Sequence, residues 1–594
     1  MTSGLATESS ARFFFVSPMR PGVTGVSHLG KKGLEEVAMH GLRRFATLSC
    51  ALLITFGCVS SPNVTPSIPK PSEPTAPLLE GMGDLHWAIT TDSELAQRYF
   101  DQALTLAYGF NHLEAERSFR EAARLDDDCA ICFWGAALVL GPNINDPVPT
   151  PERELEAYQT LEEAKARLPR ASEKERALIE ALGARYAASP PSERTALDHA
   201  YAEAMRTVAR RFPDDLQIQT LFAEAMMDTM PWAYWTEDGK PKPLTEEVFA
   251  TLDFVLENDP DHPGANHFYI HAVEQEQPER GVAPADRLRR VVPGAGHLVH
   301  MPSHIYIRVG RYHDGSLANE LAVTADNDYV TQCRAQGIYP VAYVPHNHHF
   351  LWATTTMEGR SADAIAAARH TAAHVDRSLM REPELAMLQH FSAIPYYALV
   401  RFGKWDEILR EPAPDADLLY PTAVWHYARG IAYAREGKLK QARAELDRVR
   451  AIAVDPRLQP LRIWGLNPMS SLAEIAGAVL HAEIAAARND TKTAVAELRK
   501  AIAIEDGLIY GEPPDWFYPV RHNLGAVLLE AGRARAAEKV YREDLARFPD
   551  NGWSLFGLAQ SLRAQGKAQE AAEVLVRFKT AWQYADIEIT ASRF

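Results

Sequence analysis

A recurrence of 34 residues constrains this chain more than any other feature of its sequence. Leu524 and Leu558, Gly532 and Gly566, and Ala537 and Ala571 each stand 34 residues apart, and Gly403 and Gly437 repeat the interval. A fixed period of that length marks a stack of small supersecondary units. From about residue 92 onward, Ala, Leu, Arg and Glu recur at a 3.6-residue period, with Gly or Pro between segments. That pattern predicts paired helices, and strand patterns are nearly absent. Each helical hairpin leaves an apolar face uncovered, so neighbours must stack. The expected fold is therefore one all-α solenoid, in place of the roughly four domains that 594 residues would suggest.

A unit of helix, Gly turn and helix, with Ala in the second helix and Pro after it, resembles the tetratricopeptide repeat (TPR). The segment EAERSFREAARLDDD is similar to the second helix of such a repeat, with Ala115, Phe119 and Ala122 at packing positions. The resemblance runs from Ser93 to Trp582, with insertions. Three further segments, DPDHPGANHFYIHAVE, GHLVHMPSHIYIRVGRYHD and MDTMPWAYW, resemble a group of bacterial secreted or lipidated TPR proteins without established activity. The resemblance implies a right-handed superhelix whose first helices line a concave groove, and a groove that captures a protein or peptide segment. It supplies architecture and no chemistry.

The other end of the chain bears on location. From Met39 the sequence reads MHGLRRFATLSCALLITFGC, two arginines followed by a mostly apolar run ending at Gly57-Cys58. This is the build of a secretory signal, and it resembles a bacterial lipoprotein signal, although Thr55 and Phe56 depart from the usual residues. The expected organisation is an over-called start at 1–38, a signal at 39–58, a Pro-rich linker at 59–91 and the solenoid at 92–594. Lipidated Cys58 would then hold a periplasm-facing lipoprotein in the cell envelope. Cys129 and Cys132 form a lone CxxC, read as two buried small residues at a helix start or, in an oxidising compartment, as a local disulfide.

Repeat numbering locates the histidines. Pro213, Pro260 and Pro293 take the closing position of successive units, so new units start at Leu216, Pro263 and Gly296; Gly359 as a turn implies another start at Pro345. In this frame His267, His271 and Glu274 fall on one face of a first helix. His297, His300 and His304 fall on the same face of the next, and His346 and His349 on that of the one after. The unit starting at Leu216 adds Glu224 and Asp228. Arg308, His390, Tyr397 and Arg401 extend the polar face. Pro302 interrupts the 296–308 stretch, which is either kinked there or begins near Met301 with His297 and His300 on its approach.

Imidazole nitrogens at i and i+4 can share one zinc, copper or iron ion, and a carboxylate can complete the set. One transition metal ion held by His267, His271, Glu274, His297, His300, His304, His346 and His349 is one expectation. A polar groove that binds a partner segment through His and Arg308 is the other. His370 and His374 follow a turn glycine and belong to a second helix. The MPWAYW run with Trp232 reads as packing or groove wall. A formal net charge of −16 speaks against nucleic acid as partner. No phosphate-binding Gly loop, GxSxG or HExxH is present. The sequence therefore predicts a membrane-anchored binding scaffold with a His-rich site. A metal-dependent enzyme or metal-sequestering protein, with Glu224, Asp228 or Glu274 as base, is the alternative.

Overall fold

A computed structural model describes residues 74–333 and 342–594. The signal-like segment, the residues before it and the linker as far as residue 73 lie outside the described residues. Within them the chain is an all-α solenoid of TPR-like hairpins; the only sheet among the described residues pairs Arg462–Ile463 with Asn467–Pro468. The hairpins form where the sequence places them. Ala115, Phe119 and Ala122 are fully buried on the His112–Leu125 helix, at the small and large positions that let it nest against its neighbours. Leu216–Asp228, Pro263–Val273 and Gly296–His300 begin at the three residues that the closing prolines mark, and Val344–Glu358 begins one residue before Pro345.

Pro302 breaks the third of these. Gly296–His300 and Pro302–Arg308 are separate helices, with Pro302 in the first turn of the second, where its missing N–H leaves no unmet bond. Met301 between them keeps helical angles (φ −51°, ψ −36°), so both segments follow one course. His297 and His300 consequently stay beside His304.

Six turn glycines, Gly310, Gly359, Gly403, Gly437, Gly532 and Gly566, have φ between +65° and +79°. The left-handed backbone is what a residue with a Cβ resists, at about 1–2 kcal/mol. Two of them separate conformation from contact. A Cβ on Gly359 would lie 2.4 Å from the Trp582 ring, whereas one on Gly532 meets nothing within 4 Å. Gly532→Ala is expected to cost only the conformational ~1–2 kcal/mol. Gly359→Ala should cost clearly more in denaturant unfolding, and equal costs would show that Trp582 does not pack there.

Repeats far apart in sequence also touch. Trp553 Nε1 donates to the Thr356 carbonyl at 2.9 Å, and the Ser361 and Ala362 N–H groups donate to Asp586 at 2.7 and 2.8 Å. Asn145 Nδ2 donates to Tyr343 Oη at 3.1 Å. Residues 74–91, read from sequence as the end of a linker, carry no helix yet pack on the first hairpin. Leu79 N donates to Gln102 at 2.7 Å, and Trp87 is buried against Phe100 and Trp134. Cys129 and Cys132 are both buried and joined by a disulfide.

Candidate metal centre

The helix Pro263–Val273 is buried along its whole length and presents His267 and His271 one turn apart, ring centroids 4.7 Å from each other. His267 Nδ1 donates to the Tyr108 carbonyl at 2.5 Å. A carbonyl only accepts, so the proton sits on Nδ1 and the His267 Nε2 carries a lone pair. That lone pair faces His271 Nε2 at 3.0 Å. His271 Nδ1 in turn faces Glu274 Oε1 at 3.5 Å. Whichever tautomer a neutral His271 adopts, a lone pair is opposed: to His267 Nε2 on one side, or to the Glu274 carboxylate on the other. A cation between the two Nε2 atoms removes the conflict.

The next helices repeat the spacing. His300 Nδ1 donates to Asn319 Oδ1 at 2.6 Å, and the Asn319 amide is oriented by its own donation to the Gly315 carbonyl at 2.7 Å. His304 Nδ1 lies 2.9 Å from Glu274 Oε2 and 3.2 Å from Glu512 Oε2, so it carries a proton. The two Nε2 atoms again meet at 3.0 Å. Metal–imidazole bonds of about 2.0–2.1 Å set two ligands of one ion roughly 3.0–3.4 Å apart. Both pairs are thus spaced as metal ligands, with each outer nitrogen on an acceptor that fixes the ring.

Third nitrogens complete each pair. His297 joins His267 and His271, and His346 joins His300 and His304, with the ligand atoms of each triad within 4.8 Å of one another. Glu274, His304 and Glu512 form a third such group. All members of the three groups except the half-buried His346 and Glu512 are at most 5% exposed. Burial drives His267, His297, His300 and His346 well below the ordinary imidazole value, and neighbouring imidazoles push the same way. They are therefore neutral, the form that binds metal. Burial also acts on His304, but the Glu274 and Glu512 carboxylates outweigh it and lift that imidazole to about 9. Burial alone would raise Glu274, yet His304 and His271 hold it at about 2. In Glu512 burial wins over His304 and raises the carboxyl.

Aromatic rings wall the centre. Phe110 lies 4.7 Å from His267, Trp232 5.0 Å from His271, and Phe350 4.7 and 4.5 Å from His300 and His304. Tyr343 lies 4.9 Å from His297 and Trp464 6.2 Å from His346. Phe110, Trp232 and Trp464 have φ of 54°, 59° and 51°. Bulky residues in the left-handed region hold strain that the surrounding packing must over-determine, and such strain gathers at functional sites.

The remaining sequence-predicted residues lie elsewhere. Both ring nitrogens of His349 are buried without a hydrogen-bond partner; its ring stacks on Trp352 and meets His390 at 5.4 Å, outside the triads. His390 Nδ1 and Tyr397 Oη each meet Tyr420 Oη at 3.0 Å. Arg401 is buried over the Trp553 ring and donates to the Ser592 carbonyl at 3.2 Å. These three residues have partners inside the fold, so they do not form the open ligand face expected from sequence. Asp228 pairs with buried Arg185, and burial together with the Asp228 charge pushes Glu224 up to about 8. Arg308 stays near the centre, donating to the Gln275 carbonyl at 3.0 Å, with Nε 3.9 Å from Glu512. His370 and His374 stack on His348, away from the triads. Glu512, Asn319, Phe110 and the Tyr108 carbonyl were missed from sequence, because nothing local links them to the histidines.

No protein-family model matches the chain, and no curated protein does. Among solved structures, it is similar to the human IFIT1 dimer with m7Gppp-AAAA at 12% identity and a TM-score of 0.27, over 82% of this chain and 90% of that one. The APC/C hetero-tetramer Cut9-Hcn1 matches at 12% identity and a TM-score of 0.27, over 82% and 76%. The RpL4 assembly chaperone Acl4 matches at 12% and 0.21, over 55% and 99%. The likeness is one of stacked helical hairpins, and the capped RNA and the Hcn1 subunit belong to those proteins.

Proposed function

We propose that this chain is a transition-metal-binding TPR-like protein in which two histidine triads, His267/His271/His297 and His300/His304/His346, each hold an ion. One observation carries the reading: in both triads a pair of Nε2 atoms stands 3.0 Å apart, with outer nitrogens turned to oxygen acceptors. Imidazole sets of this kind suit zinc, copper and iron. Three ligands per ion leave a coordination position open, as in catalytic more than in structural sites. Titration of chelator-stripped protein should saturate at two ions per chain. Saturation below half an ion, in protein with full helical content, would reject the reading.

The capture of a protein or peptide segment, the other use of such a scaffold, has weaker support at the residues expected to serve it. His390, Tyr397 and Arg401 are buried, and of the expected ligand set Arg308, with 30% of its side chain exposed, reaches the surface near the centre.

The body is proposed to stand in the bacterial cell envelope, facing the periplasm and tethered through lipidated Cys58. The signal-like stretch ending at Cys58 supports this reading, and so does the Cys129–Cys132 disulfide, a bond that oxidising compartments permit. Cys58→Ser should move the protein from the membrane to the soluble fraction; unchanged fractionation would refute the anchor.

A further inference from the structure

The triads adjoin at two places. His271 and His304, from different triads, have ring centroids 5.8 Å apart, and His297 and His300 are 5.9 Å apart. Rings within one triad are 4.7 to 6.5 Å apart, so the division between triads is no wider than the spacing inside them. The backbone joins them as well. The short helix Gly296–His300 carries His297 into one triad and His300 into the other, and Met301 continues its helical course toward His304. Glu274 spans the division, with one carboxylate oxygen 3.5 Å from His271 Nδ1 and the other 2.9 Å from His304 Nδ1.

Two ions seated in these triads are direct neighbours, whichever transition metal they are. Each three-imidazole set leaves a coordination position unfilled. Two cations side by side also repel, and more strongly where water is excluded, as it is between rings walled by Phe110, Trp232 and Phe350. Glu274 does not lie between the ions, because it faces the outer Nδ1 atoms while the paired Nε2 atoms face inward. An anion attached to both ions fills the two open positions and sets negative charge between the two positive ones. Metal pairs about 3.5–4 Å apart clamp oxygen ligands in this manner.

We infer, resting on the metal-binding reading above, that the two triads form one dinuclear centre whose two ions share a single small anionic ligand. Hydroxide from water takes that place when no other anion is present. The adjoining triads set the class of ligand: one donor atom, or a short row of them, carrying negative charge and able to touch both ions at once. Size is limited from outside. The least buried ligand is His346, and Phe350 and Trp464 stand 5.1 and 6.2 Å from its ring, so this edge admits only a small ion.

The test uses the purified protein, stripped of metal and loaded with whichever of zinc, copper or iron it takes up to saturation. X-ray absorption at that metal's edge should show a second metal about 3.5–4 Å away in addition to imidazole nitrogens. Calorimetric titration of the loaded protein with azide, the anion used as probe, should saturate at one azide per two ions. His300→Gln with His304→Gln should leave one ion, no metal neighbour and no azide bound at the concentration that saturates the parent. His346→Gln, a single change at the half-buried rim, should likewise remove the metal neighbour. Two ions per chain without a metal neighbour would overturn the dinuclear centre and leave metal binding standing. Two azides per chain, or none, would overturn the shared ligand. Saturation below half an ion of every metal would remove both readings.

Discussion

Protein carrying His267→Gln together with His271→Gln is expected to bind one metal ion per chain where the parent binds two. Glutamine keeps a polar side chain of similar reach but offers no imidazole nitrogen, and His297 alone cannot hold an ion that needs three ligands. The second triad keeps its full set, because His300 is oriented by Asn319 and His304 by Glu274, independently of the replaced pair. The effect extends to stability. An ion bound only by the folded state adds about 2.7 kcal/mol when free metal is a hundredfold above Kd. Metal addition should therefore raise the melting temperature of the double variant by about half as much as that of the parent. The matched control is His370→Gln with His374→Gln, whose rings stack on His348 and belong to neither triad. It should keep two ions. Metal analysis with thermal melts decides the point, and a double variant that retains both ions would mean that His267 and His271 are not ligands.

Asp228→Asn is expected to be among the most damaging single substitutions outside the centre. Arg185 is 1% exposed and its guanidinium pairs with Asp228; its other contacts are the Pro142 carbonyl at 3.0 Å and the Tyr201 ring at 4.6 Å. Removing Asp228 strips the guanidinium of its hydrogen-bonded partner and leaves Glu224, a buried carboxyl held up to about 8, as the remaining acid acting on it, a change that costs up to about 3–5 kcal/mol. Replacing both members, Asp228→Asn with Arg185→Met, should recover much of that loss, since the cost of a broken buried pair lies mainly in the stranded charge. Urea unfolding of the three proteins measures it. A single-variant loss below about 1 kcal/mol would show that the pair is not formed in solution. Both variants should still bind two ions, which separates Asp228 as a fold residue from the metal ligands.

The parts of the fold that could be read from sequence are those written by local backbone chemistry. Closing prolines and left-handed turn glycines set the starts at Leu216, Pro263 and Gly296 within the helix register, and that register in turn placed the triad histidines on adjoining helix faces. Proximity of His267 to His271, and of His300 to His304, follows from one helical turn. What was not legible depends on chain that returns from far away. Glu512 reaches His304 from a loop some two hundred residues later, and the Tyr108 carbonyl orients His267 from the first hairpin. Period and composition carry no trace of such meetings. The burial of His390, Tyr397 and Arg401 has the same origin, because the C-terminal residues that cover Arg401 carry no repeat signal. His346 and His349 show the limit of register from another side. They lie one turn apart on a single helix, yet one completes a triad while the other turns to Trp352 and His390.

Anomalous diffraction from crystals of metal-loaded protein tests the central claim most directly, because it reports number, element and place together. The account predicts two peaks per chain, each about 2.0–2.3 Å from three imidazole nitrogens, one at His267, His271 and His297 and the other at His300, His304 and His346. Absence of both peaks, or a peak only at another histidine group such as His348, His370 and His374, would contradict it.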